Sequence, residues 1–271
     1  MASQNKARYA QAGVRAIFQG GEKHELTGYS FVAQINYAGA IGRDFARVVS
    51  CNTTGLCRVL GSFHQHGWVK RARAVLMRRA TDPWESHNEG MINTVVPEVR
   101  VPSHQGPDAQ TVIPDLNITT IAAAGPYNLS HIHFTMVETT RSVTRDEVRE
   151  ALEQAPRIAF VRADDGVVAL NSVIELMRDL DRPRGDMWEV AVWEDALAVD
   201  DREIYLTHQV HNEAIVIPET IDAIRAMTGL EPDGAASIAM TDRMLGVTKR
   251  FVPPTTSVPA HTDPAGVPHS S

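Results

Sequence analysis

Apolar and polar positions change period several times along the chain. Asn5 to Gly13 reads as a short helix stopped by Gly13. Val14 to Phe18 is a β-type run halted by Gly20-Gly21, and Ser30 to Tyr37 and Ala46 to Val49 are further strand candidates. Past Cys51 the spacing turns helical, with Leu56, Val59, Leu60 and Phe63 on one stripe. Asn52, Thr53 and Thr54 supply capping side chains there. Cys51 is therefore expected at a strand-to-helix turn.

Arg71 to Met77 alternates as a strand. Trp84 to Asp108 is a long stretch rich in Pro, His and polar residues, which predicts a functional loop. Two or three strands are expected between Thr111 and Val137. Thr144 to Gln154 reads as a helix with a capping box of Thr144 and Glu147. A strand at Arg157 to Val161, a helix at Asn171 to Leu180, and strands at Glu189 to Trp193 and Glu203 to Val210 follow. Pro218 opens helices that run to about Met244, and Phe251 to Ser271 has the composition of a disordered tail. Strands outnumber helices in the middle without strict alternation, which predicts an α+β sheet with helices on one face.

The 271 residues carry 26 Lys and Arg against 33 Asp and Glu, a net charge of -7. No basic excess is available to neutralise phosphates, so general nucleic-acid binding is not expected. Two cysteines exclude a disulfide scaffold. The first residues have no apolar core of a signal peptide, and the weakly charged run Leu116 to Val137 contains Gly125, Pro126 and two His, so no membrane partner is expected. The expectation is a cytoplasmic protein.

Cys51 is the sharpest chemical feature. At a helix start, the macrodipole and free N–H groups favour the thiolate, the nucleophilic form. Cys57 lies inside the same helix and reads as packing. His131 and His133 are two apart on a strand and share a face, so either could serve as base beside a thiolate. That spacing, with His208 and His211, would also suit a metal, but no further ligand group stands at the right spacing and no metal is expected. His64 and His66 read as surface residues at a helix end. Arg78-Arg79 could hold a phosphate, or simply end a strand in solvent. Gly20-Gly21 could let a cofactor approach the backbone, or simply turn the chain. No G-x-G-x-x-G and no P-loop occurs.

The string Ser50-Cys51-Asn52-Thr53-Thr54-Gly55-Leu56-Cys57-Arg58 resembles the archaeal-type (type II) phosphorylating glyceraldehyde-3-phosphate dehydrogenases. The flanks agree: Phe18 to His24, Val101-Pro102-Ser103-His104, Gly106-Pro107-Asp108, Val192-Trp193-Glu194 and Ile215 to Glu219. The resemblance runs from about residue 5 to about residue 247. It implies the family's catalytic domain, a mixed, largely antiparallel sheet, over residues 51–214. Residues 1–50 would be the C-terminal remnant of an NAD(P)-binding Rossmann domain, residues 215–249 helices packing back on it, and residues 250–271 a tail.

The resemblance further implies NAD(P)-dependent oxidation of glyceraldehyde 3-phosphate to 1,3-bisphosphoglycerate, with inorganic phosphate as co-substrate and a thioester on Cys51. His131 would be the base, with His133 as alternate. Ser50, Asn52, His104 and Gln105 would contact substrate, and Gly21, Arg79 and Asn212 the cofactor, NAD or NADP. A homotetramer is the family's assembly. Three departures stand out. The family's Gly-rich first turn is missing, which suggests a fragment or misplaced start with little dehydrogenase activity alone. Gln105 stands where the family usually has a second histidine. His208 and Asn212 stand where it usually carries glutamines. Rival readings are a non-redox binding module and a Cys/His acyl-hydrolase.

Overall fold

A computed structural model describes residues 2–81 and 93–252. The chain begins with α1 (Ala2–Gln11), β1 (Ala16–Gly20), α2 (His24–Thr27), β2 (Ser30–Phe31), α3 (Ala33–Asn36) and β3 (Phe45–Val49). Then come α4 (Cys51–Gln65), β4 (Val69–Arg79), β5 (Val96–Pro97), α5 (Gln105–Gln110), β6 (Ile118–Gly125) and β7 (His131–Thr139). They lead to α6 (Arg145–Gln154), β8 (Ile158–Val161), α7 (Leu170–Asp179), β9 (Val190–Trp193), β10 (Ala198–Asp200) and β11 (Glu203–Val210). Helices α8 (Val216–Thr228) and α9 (Gly234–Leu245) close the described chain. Part of the expected functional loop, residues 82–92, and the expected tail from residue 253 lie outside the described residues.

Two sheets organise these elements. The small one is parallel, in the order β1-β3-β2. The large one runs β5-β6-β4-β7-β11-β9-β8, with β10 beside β11. Only β4–β6 and β8–β9 are parallel pairs, so the large sheet is mixed and mostly antiparallel. The architecture is α+β. Alternation along the strands explains the layering. Val137 of β7, Ile204 and Leu206 of β11, and Val190 and Val192 of β9 pack in one core with Leu56, Val59 and Leu60 of α4 and Val148 and Leu152 of α6. The opposite face is covered at its β8–β9 end, where Ala159, Val161 and Ala191 meet Val173 and Met177 of α7. Farther along the sheet Ile121, Phe134 and Tyr205 are exposed.

The small sheet is covered by α8: Phe31, Ala46 and Val48 pack with Ala223, Ala226 and Met227. A buried ionic network ties α8 to the rest. Arg58 of α4, fully buried, donates to Glu219 at 2.6 and 3.1 Å and to the carbonyls of Trp188 and Ile215. Arg157 adds ion pairs to Glu219, Asp222 and Asp242. Each buried charge thus has counter-charge and hydrogen bonds, the condition under which burial is tolerated.

The strand expected from Ser30 to Tyr37 is a correction. Only Ser30–Phe31 is a strand, and the chain then coils into α3. The cause is side-chain competition for the backbone. Asn36 donates to the Ser30 carbonyl at 2.8 Å and accepts from the Val32 N–H at 3.1 Å. Glu219, far away in sequence, accepts the Ala33 N–H at 2.6 Å, so a tertiary contact caps α3.

Candidate active site

The site forms where β3 delivers the chain to α4. Cys51 is the first residue of that helix and is half-buried. The cap is Ser50, whose hydroxyl accepts the Thr53 N–H. The capping role expected of Asn52, Thr53 and Thr54 is corrected accordingly: all three lie inside the first turn and are buried. Thr53 instead donates to Asp108 of α5 at 2.7 Å, and Asp108 is also paired with Arg47 of β3 at 2.6 Å. Arg47 and Asp108 therefore fix the angle between β3, α4 and α5. Sequence reasoning passed over Arg47. Its signal was a lone arginine inside an apolar strand, which needs a partner when buried.

Strand β7 supplies the histidines. In the register, His131 lies opposite Val210 and His133 opposite His208, all facing α4. His131 Nε2 is 3.3 Å from Cys51 Sγ. His131 Nδ1 accepts the backbone N–H of Arg79 at 3.1 Å. That bond occupies the Nδ1 lone pair, so the neutral ring carries its proton on Nε2, facing the sulfur. Burial drives the His131 pKa down to about 3, and the nearby charges of Arg79, Arg78 and His211 add to the effect. The imidazolium form is opposed twice over.

His133 does not meet the cysteine. Its Nε2 is 2.8 Å from Asn52 Oδ1, and its Nδ1 is 2.9 Å from His208 Nε2. Asn52 Nδ2 in turn lies 3.9 Å from Cys51 Sγ. Burial also depresses His133, His208 (to about 3) and His211 (to about 4). Cys57 is fully buried, and burial pushes its thiol up, which leaves it a packing residue. His64 pairs with exposed Asp115 at the helix end. Among the described residues no group of three His, Cys, Asp or Glu is placed to hold a metal, and no helix is long and apolar enough to cross a membrane.

Other candidates gather around this centre. Gly21, Ser50, His104 and Asp108 line one cleft of about 630 Å³. His104 is exposed at the edge, 3.5 Å from Glu98. Gln105 is wholly buried, and its amide oxygen and nitrogen have no hydrogen-bond partner among the described residues. Arg79 meets the centre through its backbone, as above. Asn212 accepts the Ser130 N–H at 2.9 Å. Ser130 has a left-handed φ of 68°, a strained value for a residue with a side chain, and Gln209 braces its hydroxyl at 2.9 Å. Asn212 thus holds the turn that feeds His131 into β7.

Residues 50–196 match the family model of the glyceraldehyde 3-phosphate dehydrogenase C-terminal domain. The chain is 48% identical over 244 residues to glyceraldehyde-3-phosphate dehydrogenase 2 of Methanosarcina acetivorans, covering 90% of this chain and 72% of that one. Identity to the Methanosarcina mazei glyceraldehyde-3-phosphate dehydrogenase is also 48%, with the same coverage. The Methanopyrus kandleri protein of that name is 49% identical over 240 residues, covering 88% of this chain and 68% of that one. The chain belongs to the glyceraldehyde-3-phosphate dehydrogenase family. The family match spans Cys51, Asn52, His131 and His133, whereas His208, Asn212 and the Glu219 carboxylate lie beyond the residues it covers.

Proposed function

We propose that this chain performs the phosphorylating oxidation of glyceraldehyde 3-phosphate to 1,3-bisphosphoglycerate with NAD or NADP, through a thioester on Cys51. The observation that supports it most is the Cys51 sulfur at a helix N-terminus with a neutral His131 Nε2–H 3.3 Å away. The dipole and the donor both favour the thiolate.

The Cys51 thiolate attacks the aldehyde carbon, and the carbonyl electrons move to oxygen. His131 Nε2–H then serves as donor to the developing alkoxide, as an oxyanion-hole group does. The base role expected for His131 gives way in this reading, because a second ring proton would displace the Arg79 N–H. The thiol proton of half-buried Cys51 passes to solvent water when the thiolate forms, so collapse of the alkoxide, with its C–H hydride leaving for the acceptor, needs no further base. A nicotinamide dinucleotide, when bound, supplies the hydride acceptor. Phosphate oxygen then attacks the thioester, the acyl phosphate departs and Cys51 thiolate returns. Ser50, Asn52, His104 and Gln105 are the proposed substrate contacts, and Gly21, Arg79 and Asn212 the proposed cofactor contacts. The chain fits such a cofactor at one end: a side chain placed at Gly21 would meet no heavy atom within 4 Å, which leaves its backbone open to a ligand. The cleft beside it has the size of a small-molecule site. A homotetramer is part of the same proposal, and the exposed Ile121, Phe134 and Tyr205 face supplies apolar surface for it.

The phosphorolysis half can be run backwards without any dinucleotide. With 1,3-bisphosphoglycerate the chain is expected to release phosphate, gain an acyl mass on the Cys51 peptide, and exchange labelled phosphate into the acyl phosphate. Cys51→Ala should do none of these, and Cys57→Ala should do all. Hydrolysis without exchange would instead favour a Cys/His acyl-hydrolase.

A further inference from the structure

A chain of side chains leads away from the cysteine into the protein interior. It runs from Cys51 Sγ to Asn52 Nδ2 (3.9 Å), from Asn52 Oδ1 to His133 Nε2 (2.8 Å), and from His133 Nδ1 to His208 Nε2 (2.9 Å). It ends at His208 Nδ1, which is buried and has no partner among the described residues. Three of its members, Asn52, His133 and His208, are no more than 6% exposed.

Proton counting gives the chain a direction. A carboxamide oxygen only accepts, so His133 Nε2 donates to Asn52 Oδ1. A neutral His133 then has a bare Nδ1, which accepts from His208 Nε2–H. A neutral His208 then leaves a bare Nδ1 at the buried end. The reverse direction would flip the Asn52 amide, put its oxygen against the sulfur, and bury an unmatched N–H at His208. An orphaned buried donor is rarer and costlier than a bare acceptor. The forward direction also aims an N–H at Cys51, at the long end of the range for a sulfur acceptor.

We propose that His133 and His208 are positioning residues: by fixing each other's tautomer they hold the Asn52 amide with its NH2 toward Cys51, so that the thiolate has a second neutral donor besides His131. The histidine at 208 is the outer stop of this relay. It is seated by the strand register that places His208 opposite His133, with the two rings edge-on at 4.7 Å. Gly55, one turn on from Cys51, lies beside the relay: a Cβ there would be in ordinary contact with His133 Cε1 at 3.7 Å. The proposal rests on Cys51 being the nucleophile, but it has its own readouts.

The charged and titratable groups facing this region are His131 of β7, Arg78 and Arg79 of β4, His211 beyond β11, and Asp108 of α5 through Thr53. The four buried histidines are all held below their usual range. The ascending limb of Cys51 alkylation with pH therefore reports the thiol.

The experiment follows iodoacetamide labelling of Cys51, read by peptide mass, from pH 5 to 10. His208→Leu removes the donor to His133 and is expected to raise the midpoint by about one pH unit. His208→Gln keeps an N–H donor and is expected to restore the wild-type midpoint, which a merely space-filling role would not do. In the unmodified chain, imidazole 15N shifts should show both His133 and His208 as Nε2–H tautomers. An Nδ1–H tautomer at His133, or a His208→Leu midpoint equal to wild type, overturns the relay. Should His208→Leu fail to fold, the tautomer measurement decides by itself. If Cys51 proves no more reactive than Cys57, the nucleophile assignment falls while the tautomers still test the relay.

Discussion

The backbone N–H of Arg79 donates to Nδ1 of His131, and that single bond decides what His131 can do for Cys51. A ring held this way by a main-chain donor keeps its proton on Nε2 and resists a second one. His131 therefore faces Cys51 as a neutral N–H donor rather than as an imidazolium.

The pH dependence of thiol reactivity follows. With His131 held near 3, Cys51 alkylation should rise through one limb between pH 5 and 10, with no second inflection from an imidazole. His131→Asn should leave Cys51 alkylatable but slow acyl transfer from 1,3-bisphosphoglycerate about 10²–10³-fold, the usual cost of one oxyanion donor. A bell-shaped profile with an imidazole limb near pH 6–7 would restore the ion-pair picture.

The two cysteines should separate cleanly. Cys51 is half-buried at the helix start, and Cys57 is fully buried, with its thiol pushed up by desolvation and by Asp108 and Glu219. Native-state labelling should give one adduct, on Cys51, and the second only after denaturant. Equal rates for the two in the folded chain would remove the basis of the assignment.

Stability should fall steeply in mild acid. His131 and His208 are held at about 3 and His211 at about 4, with His133 also depressed. Below about pH 6.5 the unfolded chain takes up protons at these positions and the fold does not. Stability is thus fully present above pH 6.5 and declines as pH falls, by about 1.4 kcal/mol per unit for each histidine. At pH 5 His131, His208 and His211 have each cost about 2 kcal/mol, so these three together rival the stability of a marginal domain, and His133 acts in the same direction. Urea midpoints between pH 5 and 7 measure this, and His208→Gln should flatten the slope. A midpoint constant from pH 7 to pH 5 would contradict it.

Gly55 should be intolerant for a packing reason. A Cβ there would sit 2.5 Å from Val210 Cγ1. Alanine ordinarily gains about 0.5–1 kcal/mol over glycine inside a helix, but overpacking costs about 1–3 kcal/mol. Gly55→Ala is expected to be destabilising, and Gly55→Ala with Val210→Ala to recover part of the loss in a double-mutant cycle.

Much of this was legible in the residue pattern. The Thr144 and Glu147 capping box is present on both sides, and the two-residue spacing of His131 and His133 does put both on one face. The string around Cys51 named the family. What escaped was whatever depends on partners distant in sequence. The Ser30 to Tyr37 run looks like a strand until Asn36 and Glu219 claim its backbone. Which histidine reaches the sulfur turns on how α4 sits against β7. The bond from Arg79 comes from an atom every residue has, so no side-chain pattern announces it.

Glu219 is the knot of the molecule. Its carboxylate is bonded at once to Arg58, Arg157 and the Ala33 N–H, so three segments converge on two oxygen atoms. A cut between β11 and α8 would look harmless on a linear map. It would strand two buried guanidinium groups if the severed helices departed, one of them on the helix that begins at Cys51. Limited proteolysis should accordingly leave nicked fragments associated and the thiol still reactive, or degrade the chain outright, with no stable core lacking α8 and α9. The C-terminal helices are thus a keystone for the cysteine rather than a detachable appendage.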